Sequence, residues 1–118
     1  MPHLDALLPL YPDPAIRRAL LEQALAQIHA DLADMGQAIH ADHHVDARQY
    51  VHRAKGTASF LGGSDSLPAF DQLTAALKTQ HRPHIEPAFA AVEAALLELA
   101  AKLQVQLNKL PDTAVGQA

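Results

Sequence analysis

Apolar residues recur along this chain at alternating spacings of three and four, the period of helices with one buried side. Leu21, Leu25, Ile28, Leu32, Met35 and Ile39 make the first stripe. Asp13-Pro14 stands at its start, a capping carboxylate followed by a ring that needs no amide donor, so a long helix is predicted from there to about Ile39. A second stripe, Ala47, Val51, Ala54, Ala58 and Leu61, predicts a helix from about Asp42 to Leu61, with small residues that let neighbouring helices approach closely. Gly62-Gly63 should stop it, and Ser64-Asp65-Ser66 offers caps for the next, with Pro68 in its first turn. Leu67, Phe70, Leu73, Thr74 and Leu77 supply the buried side of that third helix. The last helix starts near Pro83 to Pro87 and carries Ile85, Phe89, Val92, Leu96, Leu99 and Leu103.

The connections, His40 to His44 and His81-Arg82-Pro83-His84, are short and polar, as expected between antiparallel helices. Leu4, Leu7, Leu8 and Leu10, broken by Pro9 and ended by Pro12, predict a short helix or turn that caps the bundle. The pattern as a whole predicts an all-α fold, an antiparallel four-helix bundle with a short N-terminal capping helix. Residues 1–110 form a single domain in this reading, and residues 111–118 a disordered tail.

Composition agrees with helices. The 118 residues are 49% hydrophobic, enough for one core, but include only three Phe, two Tyr and no Trp. Alanine and leucine fill the apolar positions, which favours helices over a sheet. The net charge of −4 argues against a nucleic-acid surface. No cysteine is present, so neither disulfides nor thiolate metal sites can form. The most apolar run, Ala88 to Ala101, is broken by Glu93 and Glu98, and the N-terminus lacks the pattern of a secretion signal. A cytoplasmic protein without direct membrane contact is therefore expected. If the domain belongs to a membrane-anchored protein, its membrane part lies outside this chain.

The stretch that packing alone does not explain is His52-Arg53-Ala54-Lys55-Gly56-Thr57-Ala58-Ser59-Phe60-Leu61-Gly62-Gly63. Away from its apolar stripe, Arg48, Lys55, Gly56 and Ser59 are neighbours of His52 at i−4, i+3, i+4 and i+7. His52 should therefore face water, with a cation and bare backbone beside it. A glycine inside a helix costs about 1 kcal/mol relative to alanine. Either it leaves room for another protein's surface or the helix merely tolerates it. Between Ala47 and Ser64 there is no acidic residue, while Arg48, Arg53 and Lys55 are all present. That local excess of positive charge suits a phosphoryl group or an acidic pocket on a partner.

The order His52-x-x-Lys55-Gly56, followed by small residues and Leu61-Gly62, resembles the histidine-containing phosphotransfer (HPt) family. The motif covers about a dozen residues, and the helix pattern fits the family from Asp13 to Leu107. The resemblance implies a phosphorelay intermediate that accepts a phosphoryl group from the aspartate of one receiver domain and passes it to another. It implies His52 as the phosphoacceptor, Lys55 as the nearby cation and Gly56 as the clearance position. Arg48, Arg53 and Ser59 would belong to the phosphate or partner surface. Gln72 is the nearest candidate for the glutamine that many members place on the next helix against the imidazole. The partners implied are receiver domains of response regulators or of a hybrid sensor histidine kinase, and the chain is expected to be a monomer. No cofactor is expected in this chain, because the receiver brings both aspartate and magnesium. This chain departs from the family at Ala54, where a large aliphatic residue is usual, so local packing must differ.

Three other readings were open at this level. His40 and His44, four apart, could bind zinc or nickel with His43 and Asp42 if the turn were helical, but no second carboxylate-histidine pair stands on another helix, so a solvated loop and no metal site are expected. The dimerisation domain of a histidine kinase also carries a helical phosphohistidine, but an acidic residue usually follows it and a proline comes soon after, unlike Arg53 and Thr57. A helical adaptor with an inert His52 is the third.

Overall fold

The computed structural model describes residues 3–62 and 65–111. A short helix α1, His3–Leu7, continues into a 3₁₀ turn, Leu8–Leu10. Four longer helices follow: α2, Pro14–His40; α3, His44–Gly62; α4, Leu67–Thr79; and α5, Arg82–Lys109. Among the described residues there is no strand. Each long helix packs against the next, α5 closes the ring on α2, and α1 lies against α3. The result is an antiparallel four-helix bundle measuring 55 × 29 × 18 Å, with a short N-terminal cap.

The buried stripes follow the spacings read from the sequence. Leu21, Ile28, Met35 and Ile39 of α2 meet Ala47, Val51, Ala54 and Ala58 of α3, with Phe70, Leu73 and Leu77 from α4 and Ile85, Val92, Leu96, Leu99 and Leu103 from α5. Leu25, Leu32 and Phe89 pack at the edge of this core. Because the inward side of α3 is mostly alanine, its backbone can sit close to its neighbours. Where α3 ends, a Cβ on Gly62 would stand 3.3 Å from Leu99 Cδ1 of α5, tighter than ordinary contact.

The helix ends show where local chemistry departs from expectation. Asp13 caps α2 as anticipated, its side chain accepting a 2.9 Å hydrogen bond from the Ala15 N–H. At the other end of α2, Asp42 adopts the left-handed conformation (φ 59°). The His43 N–H then donates to the Ala38 carbonyl and the Asp42 N–H to the Ile39 carbonyl, a closing pattern that usually employs glycine. The Asp42 carboxylate also accepts a 2.7 Å hydrogen bond from Arg82, tying this turn to the start of α5.

Helix α5 starts at Arg82, inside the segment expected to be a polar turn. Pro83 fits the first turn, and the His81 carbonyl accepts from both the His84 and Ile85 N–H groups, which extends the helix backwards. Ser66 occupies the N-cap of α4, but its backbone is helical and its side chain makes no capping bond. The anticipated Ser66 side-chain cap is therefore not formed, and Pro68, which needs no acceptor for an N–H, stands second in α4. Of the other positions expected to punctuate this junction, Gly63 and Ser64 lie outside the described residues, as does the tail from residue 112 onward.

Gln80 closes α4 in the left-handed region at φ 58°, with an exposed side chain. An L-residue is held there at a cost that glycine avoids. Gln80→Gly is expected to raise the unfolding free energy by about 0.5–1 kcal/mol, read as a higher midpoint in urea at unchanged slope.

Candidate functional site

Helix α3 turns its alanines inward, so Val45, Gln49, His52, Gly56 and Phe60, spaced three or four apart, form its outward side. All five are exposed. Gly56 is open in the strict sense, since a Cβ built there would find no atom within 4 Å. Ser59 is exposed on the same side. His52 therefore stands on a free surface, one turn before bare backbone, as its spacing predicted.

The charges around it differ from the count along the chain. Arg53 turns toward α2, where its Nε donates to Asp31 at 2.6 Å and its Nη2 donates to Asp34 at 2.8 Å. Asp31 has no exposed surface, and the same oxygen, Oδ1, accepts from Gln27 at 2.7 Å. Hydrogen bonds to Asp34 and then Asp31 hold the Arg53 guanidinium above its ordinary pKa. The Tyr50 ring lies under the guanidinium, its centroid 5.1 Å from Cζ. This arrangement removes Arg53 from the free phosphate surface to which the sequence assigned it and makes it a clasp between α2 and α3.

Lys55 turns the other way, toward α4, and its ammonium lies 2.7 Å from Asp71 Oδ1. Thus three carboxylates, Asp31, Asp34 and Asp71, compensate a helix segment that has none of its own. Arg48 is the exception. It is half-buried, its Nε is shielded from solvent and has no hydrogen-bond partner, and no carboxylate pairs with it among the described residues. Gln72 is exposed on α4, and its neighbour Asp71 makes the side-chain hydrogen bond to α3; Gln72 makes none to His52.

An apolar groove of about 500 Å³ lies beside Gly56, between the N-terminal segment, α2 and α3. Leu4, Leu7, Leu8, Leu20, Phe60 and Leu61 contribute to its walls. Of the N-terminal leucines, Leu4 is core, Leu7 and Leu8 are half-buried, and Leu10 is 69% exposed. Phe60, 63% exposed, borders the same surface.

Sequence reading missed Phe60, although an aromatic four places beyond Gly56 falls on the outward side. It also missed Asp31, whose placement three after Ile28 and four before Met35 puts a charge in the apolar phase of α2 and so demands a partner. Asp71 left no such signal, because an acidic residue on an exposed helix side is ordinary. The histidines of the first turn do not converge: Asp42 is engaged by Arg82, His44 Nε2 is 3.8 Å from Asp42, and among the described residues no three His, Asp or Glu side chains form a metal cluster. No described helix is long and apolar enough to cross a membrane. No family model matches the chain, and neither does any curated protein or solved structure.

If Arg53 is a clasp, removing it strands the buried Asp31 carboxylate with only Gln27. Arg53→Ala is expected to cost about 3 kcal/mol of unfolding free energy, measured by urea denaturation. A change below about 0.5 kcal/mol would return Arg53 to the class of ordinary surface cations.

Proposed function

We propose that this chain is a phosphorelay intermediate of the HPt kind, with His52 as the phosphoacceptor. The observation that carries the reading is an exposed histidine one turn before a glycine whose missing side chain leaves open space, both on the outward side of a bundle helix. Imidazole at neutral pH keeps a ring nitrogen with a free lone pair. That lone pair attacks the phosphorus of a receiver's aspartyl phosphate; the P–O bond to the aspartate breaks and its electrons return to the carboxylate. A second receiver takes the group by the reverse sequence, its aspartate forming the new P–O bond as the P–N bond breaks. The receivers supply magnesium and the acidic pocket, and this chain supplies a positioned imidazole and a surface on which to dock. Leu7, Leu10 and Phe60 provide an apolar rim beside Gly56 for that docking.

Incubation with phosphorylated receiver domains is expected to give one acid-labile, base-stable adduct, on His52. His52→Gln should abolish it with the helical circular dichroism intact, because the residue is exposed. Label that survives, or that moves to His40, His44 or His84, would refute the assignment. The apolar groove favours one other reading, a helical adaptor with an inert His52, which predicts partner binding without any label.

The role of Gly56 has its own test. Gly56→Gln should fold normally and receive phosphate poorly from a cognate receiver, while phosphoramidate, which needs no docking surface, labels it nearly as well as the parent. Equal receiver rates would mean that the glycine is not there for a partner.

A further inference from the structure

We infer that Asp71 holds Lys55 away from His52 and leaves Arg48 as the guanidinium that binds the phosphoryl group on His52, an inference that rests on the proposed function. Both cations are one turn from His52, Arg48 at i−4 and Lys55 at i+3, so either could reach a group on the imidazole. Their states differ. The Lys55 ammonium is committed to Asp71 at 2.7 Å, and a doubly charged phosphoryl group nearby must compete with that carboxylate for it while being repelled by it. Arg48 has no carboxylate partner among the described residues, and its Nε–H is shielded from water with no acceptor.

A guanidinium with no carboxylate partner gains more from an arriving anion than an ammonium already paired, because no existing contact is surrendered. A guanidinium also offers paired donors that match phosphoryl oxygens, where an ammonium offers a point charge. Arg53, the third cation, is engaged on the α2 side by Asp31 and Asp34. Asp71 is thus a positioning residue acting through Lys55, and Arg48 a phosphoryl-binding one. By keeping Lys55 engaged, Asp71 also leaves the phosphohistidine less stabilised and easier to discharge.

The full chain is loaded with phosphoramidate. The imidazole lone pair takes the phosphorus, the P–N bond of the donor breaks, and its electrons leave with the protonated nitrogen as ammonia. The half-life of the adduct and its ³¹P chemical shift are then compared among variants whose melting curves are recorded alongside. Arg48→Gln is expected to shorten the half-life by about fivefold and to move the ³¹P resonance, with Arg48→Lys restoring part of both. Lys55→Ala should shorten it less than Arg48→Gln does. Asp71→Asn should lengthen it, and that gain should vanish when Lys55→Ala is added. Lys55→Ala shortening the half-life as much as Arg48→Gln, or Asp71→Asn leaving it unchanged, would overturn this inference alone. Failure of the parent to label on His52 would overturn the proposed function and this inference with it.

Discussion

The contact between Arg53 and the buried Asp31 holds α3 to α2 at the rotation that its apolar stripe sets. A carboxylate without exposed surface requires a partner, and Arg53 and Gln27 supply it at Oδ1, while Oδ2 has no hydrogen-bond partner. Arg53 lies about 100° around the helix from His52, so committing it to α2 leaves the imidazole on the outward side. The alanine stripe faces the core at the same rotation, so the polar clasp and the apolar contacts agree. A buried charge is best attested as a device that fixes register, and this one reinforces the register of α3.

Most of the fold was legible because long helices state their period many times over. The α2 and α5 stripes each span several turns, and a misread residue changes little. The junctions were harder. Asp42 in the left-handed region and a helical Ser66 without a capping bond depend on backbone angles that no side-chain pattern dictates. The start of α5 at Arg82 depends on bonds to one carbonyl, that of His81, in a segment whose composition reads as a turn.

The outward placement of His52 and Gly56 was also legible, since it follows from period alone. Its electrostatic setting was not. Counted along the chain, residues 47–64 carry cations and no anion, yet Asp31, Asp34 and Asp71 come to them from other helices. Charge in a bundle is shared laterally, across about 10 Å between axes, and a count along one helix omits the neighbours that matter most. The glutamine expected against the imidazole illustrates the same point, since a shift of one residue on α4 brings Asp71 to Lys55 instead.

The turn between α2 and α3 is three residues long and that between α4 and α5 is two, so the helices they join are neighbours in both sequence and space. Loops this short demand little entropy for closure, and the Asp31 clasp lies within one such hairpin. Chains built from contacts of this kind fold on the microsecond to millisecond scale. A hairpin opened by a collision or by thermal motion would therefore close again long before a slower event, such as proteolysis or association with a second unfolded copy, could exploit the opening.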